Sequence, residues 1–263
     1  MKLLLSFLLT LVLLPPLMAG NDFCGTRNQA YVNGEQVNFT VYYNVIGLYV
    51  NAGNAIFTVE KTQFQQKPAY HIVGIGISNS RYDWIFKVRD RYESYIDTAT
   101  LKPYRFARKV EEGGYKFEEE ATFQREQKIV KSSKGTFQVP DCVHDILSAV
   151  YYARNIDYNN YQPDDKIPFS IYLDGEVHNM HIRYLGKEVI KTKYGKFRAI
   201  KFKPLLLKGT IFEGGENMTV WVSDDPNRIP LRVESPIVVG SVKIDMMDCK
   251  NTRYPLSSLI SKR

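Results

Sequence analysis

The sequence predicts a mainly β protein: a curved antiparallel sheet or incomplete barrel made of two similar modules, with one central covering helix. Three observations carry this. Aromatic residues make up 13% of the 263 residues, including 18 Tyr and 14 Phe, and such side chains favour pleated, half-buried surfaces. Short alternating runs of apolar and polar residues recur along most of the chain, separated by Gly, Pro and Asn/Asp turn signals. One passage breaks the alternation. In residues 141–158, Val143, Ile146, Leu147, Val150 and Tyr151 recur at the spacing of one apolar helical face.

The elements follow in order. Residues 37–60 read as two strands around a turn at Asn51-Ala52-Gly53-Asn54. Lys67-Pro68 opens a strand, AYHIVGIGIS, in which Gly74 and Gly76 share a face and permit close approach. Residues 82–97 form either one long strand or a short helical turn followed by a strand. Residues 101–139 make a meander of short hairpins around the Glu-Glu-Gly-Gly turn at 111–114. In the helix, Asp141 is the expected cap and Arg154 the cation of the last turn. Strands resume with IPFSIYL, VHNMHIRYLG, KEVIKT, KFRAIKF, NMTVWVS, IPLRVE and VGSVKID, and the alternation fades over residues 251–263, an expected tail. The boundaries are then 1–20 for a signal peptide and 21–250 for a single β-rich domain. Within that domain, module one covers about 37–139, the helix 141–158 and module two about 166–249.

The modules are suggested by an internal repeat. Asp97, Pro103 and Arg105 form D-x-x-x-x-x-P-x-R, and Asp224, Pro230 and Arg232 repeat it 127 residues later. The same shift pairs Tyr70 with Phe197, Gly113 with Gly240, and Tyr115 to Glu118 with Val242 to Asp245 in class and order. Each Asp is expected to cap its turn, and Asp97 with Arg105 and Asp224 with Arg232 are candidate ion pairs across their hairpins.

Composition and address narrow the function. Lys2, the apolar run from Leu3 to Leu14 and the small residues Ala19-Gly20 read as a secretory signal peptide cleaved after residue 19 or 20. No later run reaches the roughly 20 apolar residues of a spanning helix. Strands rich in Lys and Arg lack the outward apolar band of a membrane barrel. The net charge of +7 is dispersed among acidic residues, which excludes the clustered basic face of a nucleic-acid binder. Cys24, Cys142 and Cys249 allow at most one disulfide. Cys24 with Cys249 would tie the domain ends together, and three reduced thiols are the open alternative.

With YYNVIGLYVNAG, YDWIFKVRDRYESYID, HDILSAVYYARNIDY, YLGKEVIKTKYGKFRAIKFKP and WVSDDPNRIPLRVES in hand, the chain resembles the exported bacterial family catalogued as domain of unknown function 3108, from about Tyr42 to Ile244. That resemblance implies no activity, ligand or catalytic residue. The segment VWVSDDPNRIPLRVESPIVVG is also similar to a hairpin of periplasmic lipoprotein-carrier-like proteins, curved sheets that shelter acyl chains.

No catalytic set assembles. His144 and Ser148 lie one helical turn apart without a nucleophile elbow. His178 and His181 point to opposite faces of a strand, a poor metal pair. Asp83, Asp90, Glu93, Asp224 and Asp225 are carboxylates of undetermined separation. No cofactor is implied. The expected ligand-binding residues are Tyr82, Trp84, Phe86 and Arg89, an aromatic wall with a polar rim. The expectation is an exported, non-enzymatic protein of the periplasm or envelope that binds an apolar or envelope-derived ligand such as a lipid or glycan. The alternative is an interaction or assembly factor that meets an envelope protein without a pocket, and a hydrolase comes third.

Overall fold

A computed structural model describes residues 24–45, 47–208, 214–237 and 240–263; the expected signal peptide lies outside them. The strands are β1 (Gln36–Val45), β2 (Leu48–Phe64), β3 (Lys67–Ser78), β4 (Arg89–Asp97), β5 (Pro103–Glu112), β6 (Tyr115–Gln124), β7 (Ile129–Ser132), β8 (Gly135–Gln138) and β9 (Val143–His144). After the helix α1 (Ile146–Ala153) come β10 (Lys166–Leu173), β11 (Glu176–Lys191), β12 (Gly195–Pro204), β13 (Thr219–Ser223), β14 (Pro230–Pro236), β15 (Ser241–Lys250) and β16 (Leu259–Lys262). They form one sheet in the order β8-β7-β6-β5-β4-β3-β2-β1-β15-β14-β13-β12-β11-β10-β9, with β16 beside β12. Every pairing is antiparallel except the short β9–β10 bridge. The two ends of the sheet meet through side chains instead of a ladder. Phe123 and Phe137 pack on Tyr172 with ring centroids 6.1 and 5.7 Å away, and Arg108 joins Glu119 at 2.9 Å to Asp174 at 2.6 Å. The barrel is therefore incomplete.

The two modules correspond strand by strand at the shift of 127. Residues 49–64 of β2 match β11, β3 matches β12, and β4, β5 and β6 match β13, β14 and β15 in order and pairing. Backbone detail follows the same shift. Leu101 and Arg228 occupy left-handed conformations at φ 58° and 49°, and Gly113 and Gly240 have φ 56° and 83°. A bulge breaks the β4–β5 ladder beside Pro103 and the β13–β14 ladder beside Pro230, as expected where proline cannot donate.

Several expectations are corrected. The first hairpin turns between Val45 and Leu48, with Gly47 at φ 81°. Residues 51–54 lie inside β2, where Ala52 is an extra residue opposite Val41 and Tyr42. VHNMHIRYLG and KEVIKT join as β11, bent by a bulge at Leu185 before Gly186. Residues 251–263 do not hang free: β16 pairs β12, and Asn227 bonds the backbone of Tyr254 from both ends of its amide at 2.9 Å. The ion pairs proposed within each repeat are not made. Arg105 and Arg232 stand two residues into the next strand, so they reach forward to Glu120 and Asp245. Asp97 instead holds Arg125 at 2.8 Å, and Asp224 holds Lys187 at 3.1 Å.

The helix is shorter than residues 141–158. Val143 and His144 are spent on β9, and Asp145, not Asp141, caps α1. Its carboxylate accepts from Ser148 N while the Ser148 hydroxyl accepts from Asp145 N, a reciprocal capping box. Leu147, Tyr151 and Tyr152 are buried and Ile146 is half-buried, but Val150 faces solvent, 40% exposed. Leu147→Ala should therefore cost about 2–5 kcal/mol in urea unfolding, whereas Val150→Ala should change stability by less than about 0.5 kcal/mol. Equal losses at the two positions would refute this orientation of α1.

The helix fills the barrel. Leu147, Tyr151 and Tyr152 pack with Tyr31, Tyr70, Ile72, Ile96, Ile167, Ile182 and Ile200 in the main core. A second core joins Val37, Phe39, Phe197, Ala199, Trp221, Leu231 and Met246. Neighbouring residues serve different cores, Trp221 one and Val222 the other. Around Ala199-Ile200 and Trp221-Val222 the β12–β13 wall is thus buried on both faces, and there its sequence is apolar at consecutive positions. Gly74 is required by packing: a Cβ there would lie 2.9 Å from the Phe57 ring.

Candidate functional site

The connection between β3 and β4 carries three of the four expected site residues. Asn79 starts it by accepting from Arg81 N at 3.1 Å, which caps the single 3-10 turn Ser80–Tyr82. Ser78, Asp83 and Arg89 then tie its two ends together. The Ser78 hydroxyl accepts from Val88 N at 2.9 Å and from Arg89 at 2.8 Å, and Arg89 pairs with Asp83 at 2.5 Å. The bonds from Ser78 and Arg89 hold the Asp83 carboxyl below its usual range. Arg89 is therefore occupied in fixing the loop.

Side chains on this connection point outward. Trp84 is 83% exposed and Ile85 63%, while Phe86 lies against Gly113 of the β5–β6 turn, where a Cβ would meet its ring. The loop crosses neighbouring hairpins, with Asn79 N bonded to Ala52 O at 2.7 Å and Gly113 N bonded to Lys87 O at 2.9 Å. On one side Leu48 and Tyr49 begin β2, exposed, and on the other Tyr115 begins β6, exposed. One end of the molecule thus carries an apolar, aromatic rim. Tyr82 is half-buried and anchors this rim through its carbonyl, which accepts from Ile85 N and Phe86 N.

Beside the rim an open groove of about 370 Å³ runs along β3 to β6, bordered by Ile75, Ile77, Arg89, Arg91, Lys109 and Lys116. Of the four expected residues only Arg89 borders it; Trp84 and Phe86 stand at the end of the sheet. The groove sits where β4 and β5 part, beyond the Arg91–Lys109 pair. Asp90 enters that gap and accepts from Glu111 N at 3.1 Å. Burial, and then the neighbouring Glu112 carboxylate, push Asp90 up to about 7. A raised carboxyl pKa contributes stability that is fully present below about pH 4, the unfolded value, and is lost as pH rises through about 7. Asp90→Asn keeps the acceptor for Glu111 N and removes the titration. Its melting temperature should therefore rise relative to the parent between pH 5 and pH 9, and a constant difference across that range would refute the assignment.

The other constellations resolve into structure. His144, Asp145 and Ser148 are fully buried at the start of α1, with Ser148 spent on the capping box. Burial raises Asp145 to about 6 against the hydrogen bonds it accepts from Ser148 and Ser94. His181 pairs with Glu216, and His71 pairs with Glu93 while stacking on Tyr95. Cys24 is joined to Cys142 across 118 residues, with Cα atoms 5.4 Å apart, so Cys24–Cys249 is not the pair. Asp141 adjoins the same two sulfur atoms, which the disulfide consumes as metal ligands. In the first repeat Asp97 caps its turn by accepting from Ala99 N at 2.6 Å and Thr100 N at 3.1 Å. Burial works against its charge, yet Arg125, Tyr104 and these amides hold it down at about 2. In the second repeat that task falls to Asp225, which accepts from Asn227 N and Ser258.

Residues 38–247 match the family profile of proteins of unknown function DUF3108. The chain belongs to the DUF3108 family. Comparison with curated proteins finds no match. Among solved structures, this DUF3108 chain is similar to a β-barrel-like protein of domain of unknown function DUF1849 from Brucella abortus. The two share 10% identity at a TM-score of 0.58, over 84% of this chain and 99% of the other. That likeness supports the barrel-like fold alone. Two further matches are a protein described as exported, with a YmcC-like fold, from Bacteroides fragilis, and one described as a lipoprotein from Parabacteroides distasonis. Their identities are 12% and 13% and their TM-scores 0.35 and 0.32, each over 84% of this chain and 97% of the other. No helix among the described residues is long and apolar enough to cross a membrane.

Proposed function

We propose that this DUF3108 protein is an exported interaction protein of the bacterial envelope that works through its aromatic rim, with no enzymatic chemistry. One contrast carries the reading: the barrel interior is packed with Tyr31, Tyr152, Tyr158 and Ile72, all essentially without exposure, while Trp84 and Ile85 stand out in solvent on a braced loop. Sheltering a ligand inside would require α1 to leave, against the Cys24–Cys142 disulfide and the buried Glu35–Arg154 pair. A rigid loop that displays a Trp favours docking, because little conformational entropy is lost on contact.

Native mass spectrometry of protein purified from its own envelope, with lipid extraction in parallel, tests this. The expected result is the bare chain mass, together with envelope contacts trapped by a photo-crosslinking amino acid at position 84 and not at position 150. A reproducible bound lipid or glycan that survives Trp84→Ser would overturn the proposal in favour of an interior binder.

A further inference from the structure

We infer that the surface the rim meets is an anionic lipid bilayer, an inference that rests on the docking role proposed above and names its partner. Leu48, Tyr49, Trp84, Ile85, Phe86 and Tyr115 lie at the same end of adjacent hairpins, bridged by the bonds from Asn79 to Ala52 and from Gly113 to Lys87. Trp, Tyr and Phe are the residues that settle at headgroup depth, with an apolar body and, for Trp and Tyr, a polar tip that stays wet. Charge then selects the kind of bilayer. At the Trp84 loop and the β5–β6 turn the cation is the outer member of its ion pair: Lys116 is 72% exposed against 23% for Glu111, and Lys87 and Arg89 also exceed Glu111 and Asp83, whereas beside Tyr49 Glu234 is more exposed than Lys243. Arg81, at the tip of the 3-10 turn, is exposed as well. At this loop and turn the acids are drawn in towards the sheet, so the outermost charge there is positive. Opposed to a second copy of itself such a rim meets like charge, and opposed to acidic headgroups it meets its complement.

The chain contains two Trp, and Trp221 is buried with its indole N–H on Glu188, so tryptophan emission reports on Trp84. Purified protein is mixed with vesicles of phosphatidylcholine alone or with an equal part of phosphatidylglycerol. On the anionic vesicles the emission should shift to the blue and the protein should co-sediment; added salt should weaken both effects. Arg81→Gln and Lys116→Gln should each weaken binding about fivefold, about 1 kcal/mol per cation, and Trp84→Ser should abolish the blue shift while circular dichroism stays unchanged. Equal binding to neutral vesicles, or none to either kind, overturns the inference. If vesicles fail while position 84 crosslinks an envelope protein, the partner is a protein, and the docking role survives without this inference. Self-association in sedimentation velocity that is lost in Trp84→Ser would overturn it in favour of a second copy.

Discussion

Arg154→Ala should destabilise the protein by about 3–5 kcal/mol, because it strands a buried carboxylate. Arg154 and Glu35 form a two-pronged pair at 2.6 and 2.9 Å, with side chains 3% and 0% exposed. The guanidinium also donates to Asn227 O at 3.1 and 3.0 Å, and its carbon lies 5.3 and 5.2 Å from the Tyr31 and Tyr151 rings. Burial opposes the charge, but Glu35 outweighs it and raises the pKa further, so Arg154 stays protonated. The pair fastens the segment before β1, the end of α1 and the turn before β14 at one point. Glu35→Ala should cost a similar amount. Replacing both, Glu35→Leu with Arg154→Met, should recover much of the loss, since apolar residues of similar volume often substitute for a buried pair without penalty. Urea midpoints at constant m would measure all three variants. A loss under about 1 kcal/mol for Arg154→Ala, or a double variant as unstable as the sum of the singles, would contradict the account.

Which parts of this were legible in the sequence follows from the range over which each feature is encoded. Alternation in β3, β5 and β6 is local, and the 127-residue shift is a comparison of local patterns, so strands and modules could be read directly. Arg154 looked like a cation placed for the helix dipole. Its partner lies 119 residues earlier, and nothing near either residue marks the match. The helix start was misplaced because β9 pairs only two residues, too few to show a period, so Val143 passed for part of the apolar helical face. Asp224 fitted the repeated motif, yet Asp225 caps the turn because Ser258, from the C-terminal segment, completes its hydrogen bonds. Trp84 and Phe86 alternated with Asp83 and Lys87 as a strand would. Their segment pairs with no neighbour until Val88 bridges Glu112, so the period reflects an exposed loop braced at both ends. The chemistry of the rim was thus visible in its residue types, while its position at the end of the sheet was not.

Loss of the Cys24–Cys142 bond should have an effect of the same order. The bond closes a loop of 118 residues, for which the chain-entropy model gives about 5 kcal/mol, and removal of native disulfides typically costs about 2–5 kcal/mol. Cys142→Ser is expected to fall in that range. The native contacts nearby identify what is released. Thr26 N bonds the Tyr152 hydroxyl at 3.2 Å, Gln29 N bonds Asn155 Oδ1 at 2.6 Å, and Ala30 and Tyr31 sit in the main core. Those contacts survive reduction if the bond acts mainly on the unfolded chain. The variant should then keep its native near-ultraviolet spectrum while its m value rises, because an unlinked unfolded chain exposes more surface. A loss below about 0.5 kcal/mol, or a lost near-ultraviolet spectrum before any denaturant is added, would count against this mechanism. The pairing itself is protected by the state of the third cysteine. Burial, and then Asp248, push the Cys249 thiol up to about 11, so at neutral pH it is overwhelmingly the unreactive thiol and exchanges slowly with the disulfide. Peptide mapping should recover Cys24 linked to Cys142 alone, with Cys249 alkylated rapidly only after unfolding. Any Cys249-linked peptide from folded protein kept at neutral pH would show that the thiol exchanges after all.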